Sequence, residues 1–142
     1  MQSSTPSGPF RGRPVQLAVL VGIVLTEAVA LLAFAVFFAV GLVSGQAEVS
    51  PAGAAFMMVL LAVFGVGVAT AGIFLWRGYR WARSVVLVVQ LFAATIGFPA
   101  LTGGSIAYGL LILVPAAAAV VLLFSRPVFA VTQRSARETP PE

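Results

Sequence analysis

The sequence predicts an all-α protein, a four-helix transmembrane bundle with both termini on the cytoplasmic side, and three observations predict it. Of the 142 positions 61% are hydrophobic and only 8% charged, with a mean hydropathy of +1.09, well outside the makeup of a water-soluble domain. Apolar stretches of about 18 residues or more cross a hydrocarbon layer roughly 30 Å thick, and the chain has room for four of them. Every basic residue is an arginine, and the arginines flank these stretches on one side only.

Residues 1–14 are rich in Ser, Pro and Gly and carry no apolar period, so they read as a disordered cytoplasmic tail that includes Arg11 and Arg13. The first span runs from about Val15 to Val43. That is about 43 Å of helix at 1.5 Å per residue, so it must tilt or project beyond the lipid. A cleavable signal peptide is the rival reading of this start. Its apolar core would need only about 7 to 15 residues, so an uncleaved anchor fits better.

A polar stretch, Ser44 to Val49, leads to Ser50-Pro51, where serine caps a helix and proline suits its first turn. The second span continues to about Trp76. It is followed directly by Arg77-Gly78-Tyr79-Arg80-Trp81-Ala82-Arg83, a hairpin whose glycine supplies the turn and whose aromatics suit the headgroup zone. The third span, about 81–98, closes at Pro99. A brief loop to Gly104 precedes the fourth, about 105–124, with Pro115 in its middle. The transmembrane domain thus covers 15–125. Residues 126–142, with a TPPE ending, read as a second disordered cytoplasmic tail, too polar and proline-rich to join the bundle.

Arginine placement sets the orientation, because short loops rich in Lys or Arg stay cytoplasmic. Arg11 and Arg13 precede the first span, Arg77, Arg80 and Arg83 separate the second from the third, and Arg126, Arg134 and Arg137 follow the fourth. The other two loops have no basic residue. The calculated pI of about 11.2 therefore reflects topology and not a nucleic-acid partner, since no basic stripe with stacking aromatics is present. Abundant Ala, Val, Gly and Leu with no Lys, Asp or Asn suggest a GC-rich bacterial genome. The expected location is the bacterial cytoplasmic (inner) membrane.

Cys and His are absent, which removes disulfides, thiolates and the commonest metal ligands. No phosphate loop, dinucleotide glycine pattern or serine triad occurs either, so neither an enzyme nor a cofactor or metal site is expected. Four carboxylates remain, Glu27, Glu48, Glu138 and Glu142, and only Glu27 falls inside a span. An ionisable group there is expensive and marks a function or a buried partner contact. Counted inward from the cytoplasmic ends, Glu27, Thr70 and Gln90 share a layer on the order of 10 Å deep. They form a candidate polar or proton site. Desolvation favours a neutral carboxyl there, a hydrogen-bond donor. Such a group can exchange a proton against a solute, or simply hold the bundle in register.

Pro115 removes one backbone donor and leaves the Leu111 carbonyl without its usual partner, the setting of a possible hinge. Gly65, Ala69 and Gly72 in the second span, Ala93 and Gly97 in the third and Ala116 to Ala119 in the fourth are small-residue patches that suit close packing, within one chain or between copies. Arg77, Arg80 and Arg83, with Trp76 and Trp81, form a cation cluster at headgroup level, and anionic lipid is its expected partner.

The stretch from Leu75 to Ser84, LWRGYRWARS, continuing to Val89-Gln90-Leu91, resembles the second hairpin of small uncharacterised four-span integral membrane proteins of actinobacteria. The likeness covers the second to fourth spans; it implies an inner-membrane location and brings no activity with it. Glu27 is also similar to the membrane glutamate in the first helix of the small multidrug resistance transporters, four-helix proteins that work as dimers. This chain departs from that family in being longer, in lacking its aromatic cage, and in holding Trp76 and Trp81 at the interface. Two functions follow as expectations. One is a non-enzymatic subunit or accessory protein of the membrane, partnered by another membrane protein or a further copy. The other is a proton-coupled small-solute transporter working as a homodimer, with Glu27 as the proton carrier.

Overall fold

The computed structural model describes residues 14–47 and 50–137, the last four through their backbone alone. The sequence readings for residues 1–13, Glu48 and residues 138–142 lie outside the described residues. The described chain is all α, in five helices: α1 (Val15–Val43), α2 (Pro51–Trp76), α3 (Arg80–Thr102), α4 (Ile106–Leu123) and α5 (Arg126–Arg137). The first four are long and apolar enough to cross a membrane, and the protein is a multi-pass membrane protein.

Helix ends follow local chemistry. Ser50 Oγ accepts from the Gly53 amide at 3.2 Å, with Pro51 behind it in the first turn of α2. Gly45, Gly78 and Gly104 adopt positive φ, and each closes the helix before it. At Gly78 (φ 89°) the Tyr79 amide donates to the Phe74 carbonyl and the Gly78 amide to the Leu75 carbonyl, while the Tyr79 ring meets Phe74 edge-on. This double bond pattern with its apolar contact satisfies the last carbonyls of α2 and turns the chain sharply into α3.

α1 pairs with α2 and α3 with α4 as two antiparallel hairpins. Glycine sets both contacts: a Cβ on Gly65 would stand 2.8 Å from the Leu32 side chain, and one on Gly109 only 2.6 Å from the Leu101 backbone. The hairpins then join through α2 with α3 and α1 with α4, so the helices form a ring in chain order. Residues buried in common come from one end: Leu17, Leu20 and Val24 of α1, Val68 and Leu75 of α2, Ala82 and Val86 of α3, Leu123 of α4. At the opposite end the hairpins expose Phe34, Phe37, Phe56, Ile96, Phe98 and Leu111, surface that suits lipid.

Two expectations are corrected. α3 does not stop at Pro99 but continues to Thr102. Proline forfeits only its own amide, its carbonyl still accepts from Gly103 at 2.8 Å, and the closing glycine comes at Gly104. Residues 126–137 are not an irregular tail but α5, placed against the terminus-bearing end. Pro127 falls in its first turn, where no intrahelical donor is needed. Val128, Val131 and Thr132 recur at helical spacing, and Val128 and Thr132 are fully buried.

Candidate functional site

The inward face of α3 carries Ala82, Val86, Gln90 and Gly97, so one polar side chain is set in an apolar stripe. Gln90 is 1% exposed. Across the ring, α1 turns Leu20, Val24 and Ala28 inward and leaves Glu27 half-buried beside them. The Gln90 Nε2 donates to Glu27 Oε2 at 2.8 Å. α1 and α3 stand diagonally in the ring, so this bond ties the two hairpins together through the bundle interior.

The pair leaves one polar atom over: Gln90 Oε1 is buried with no hydrogen-bond partner among the described residues. Turning the amide over exchanges the atoms without removing the deficit. An ionised Glu27 accepts from Nε2, a neutral one donates to Oε1, and either state leaves half of the amide unpaired. Such a group costs about 1–3 kcal/mol. The bridge therefore accommodates both protonation states of Glu27 by rotation of a single amide.

Thr70 does not join this pair. It is exposed, and its hydroxyl donates to the Val66 carbonyl at 2.7 Å. Val68, Ala71, Gly72 and Leu75 make the inward face of α2, which turns Val66, Thr70 and Ile73 outward. Equal depth along the bundle brought Thr70 to the layer, and helical azimuth removed it.

The arginine cluster also divides. Arg77 and Arg80 are exposed, Arg77 with its guanidinium 5.8 Å from the Phe74 ring centre. Trp81 is exposed and packs on Phe74 at 5.2 Å, while Trp76 is half-buried. Arg83 turns inward instead. Its guanidinium stacks 4.6 Å above the Phe129 ring of α5. Its Nη1 donates to Thr132 Oγ1 and its Nη2 to the Leu123 carbonyl, each at 3.5 Å, the long limit of a hydrogen bond. Arg83 thus joins the start of α3 to the end of α4 and to α5, a part that hairpin composition alone did not assign to it. A residue missed altogether is Phe129, whose place next to Val128 and one turn before Thr132 follows once α5 is read as a helix.

Pro115 lies half-buried within an unbroken α4. Two grooves flank the core. One, of about 450 Å³, lies between α2 and α3 and is apolar, with Phe64, Val68, Val85 and Phe92 in its walls. The other, of about 600 Å³, lies beside Arg80 and Arg83. Among the described residues no three His, Cys, Asp or Glu come together to hold a metal. No protein-family model, curated protein or solved structure matches this chain.

Proposed function

We propose that this chain is a non-enzymatic protein of a bacterial cytoplasmic membrane, with both termini inside, that acts as a subunit or accessory of another membrane protein or of a further copy of itself. The observation that carries this reading is the Glu27–Gln90 bond: the one carboxyl of the described spans is engaged by a fully buried amide of the same chain. A carboxyl used this way fixes the register of the two hairpins. The arginines described at one end support the orientation, by the tendency of such residues to stay inside, and the likeness of the Leu75–Ser84 hairpin to four-span actinobacterial proteins agrees with it. Isolation of the tagged protein in mild detergent tests the reading. Repeated recovery of the same membrane partner, or of a stable homo-oligomer, supports it; repeated recovery of a lone monomer sinks it.

The buried Gln90 Oε1 favours a second reading, a proton-coupled small-solute transporter acting as a homodimer with Glu27 as the proton carrier. An amide that can follow either protonation state of its partner is suited to a group that gains and loses a proton. Vesicles containing the protein or Glu27→Gln separate the two readings by uptake of a hydrophobic cation against a proton gradient. Uptake that depends on Glu27 selects the transporter, and uptake indifferent to Glu27 removes it.

A further inference from the structure

The groove of about 600 Å³ between the start of α3 and the end of α4 is lined by two arginines and by aliphatic and aromatic side chains. We infer that it binds an anionic phospholipid, the phosphate meeting Arg80, Arg83 and Ser84 and an acyl chain lying along Leu87, Leu123 and Phe124. The inference rests on the reading of this end as lying at headgroup level, and on neither of the two functional readings.

Charge carries the argument. Glu27 is the sole carboxylate among the described residues, and Gln90, about two turns beyond Arg83 in α3, engages it. Neither Arg80 nor Arg83 therefore has an anionic partner among the described residues. Arg83 is drawn half out of water, its Nε is buried without a partner, and its other nitrogens reach only neutral oxygens at 3.5 Å. A guanidinium in that state is stabilised most by an anion, which it can bind through two parallel bonds.

Backbone at the same end adds to the attraction. The residue before α3, Tyr79, makes no capping bond from its side chain, so first-turn amides of α3 remain open beside the arginines, and helix N-termini favour anions. A free inorganic anion would use the polar side chains alone. The apolar wall is what a lipid tail adds, and it distinguishes a lipid from a soluble phosphate. Arg77 serves as a control, because it is a neighbouring exposed cation that stacks on Phe74 and does not line the groove.

Native mass spectrometry of the full chain released from detergent tests this, with phosphatidylglycerol and phosphatidylcholine offered in equal amounts. Preferential retention of phosphatidylglycerol is expected. Loss of either charge by Arg80→Gln or Arg83→Gln should reduce that retention about fivefold, and Arg77→Gln should leave it nearly unchanged. Soluble glycerol phosphate at millimolar concentration should not displace the lipid. Equal retention of the two lipids, equal damage from Arg77→Gln and Arg80→Gln, or displacement by glycerol phosphate would each overturn the assignment. Should Arg83→Gln loosen α5, Arg80→Gln still decides, since the Arg80 side chain is exposed.

Discussion

Glu27 and Gln90 are bonded across the diagonal of the ring, and the two ends of the bond are unequal in burial, half-buried for Glu27 and 1% exposed for Gln90. Removing only the acid leaves the amide buried with neither end paired, the costlier kind of loss, whereas replacing both partners by apolar groups removes the deficit along with the bond. Glu27→Ala should therefore destabilise the protein more than Glu27→Ala combined with Gln90→Leu. The coupling in a double-mutant cycle should be about 1 kcal/mol, read from denaturation in detergent micelles; strictly additive losses would show that the pair does not act as one. The sequence made this pair legible because the 1.5 Å helical rise fixes how deep each side chain lies. It did not exclude Thr70, because depth says nothing of azimuth. α2 is apolar on every side, so no period marks which face meets α1.

Close approach of helices dominates the element scale. A methyl group on Gly109 would press into the Leu101 backbone at 2.6 Å, and backbone cannot swing aside as a side chain can. Gly109→Ala should force α3 and α4 apart at a cost of about 1–3 kcal/mol. Gly22 has nothing within 4 Å of the same position, so Gly22→Ala should leave the thermal midpoint in detergent unchanged or raised. α5 depends on two fully buried side chains, Val128 and Thr132, and on the Arg83 guanidinium over Phe129. Val128→Asp should free it, seen as faster hydrogen exchange across 128–133 with exchange in α1 to α4 little altered. Protection retained in that variant would mean that α5 is held by other contacts. The stripe that makes α5 a helix was present in the sequence but diluted: averaged over residues 126–142, the arginines and the final TPPE outweigh Val128, Val131 and Thr132. α3 overran Pro99 for a different reason, since a proline near a helix end costs one amide and leaves the next turn free to form.

As a whole the molecule is two glycine-packed hairpins joined at one end, and α5 packs against that end. The number of spans was legible because the thickness of hydrocarbon converts directly into residues. The ring order of the helices was not, since near-uniform apolarity gives each helix several equivalent faces to offer a neighbour. The Glu27–Gln90 bond and the small-residue contacts resolve that ambiguity only in three dimensions. The open half of the bundle, with Phe34, Phe37 and Ile96 outward, leaves apolar surface that either lipid or a second protein can cover.

The central proposal is that four helices cross the membrane with the arginine-bearing connection between α2 and α3 inside, and the chain lends itself to a direct test because it has no cysteine. Single substitutions Gln46→Cys, Tyr79→Cys and Ser105→Cys place one thiol in each of the three connections between spans. Treated in intact cells with a membrane-impermeant maleimide, the thiols at 46 and 105 should react and the thiol at 79 should react only after the membrane is opened. Reaction at 79 in intact cells, with 46 and 105 protected, would contradict the orientation, and equal reaction of all three would contradict the crossing itself.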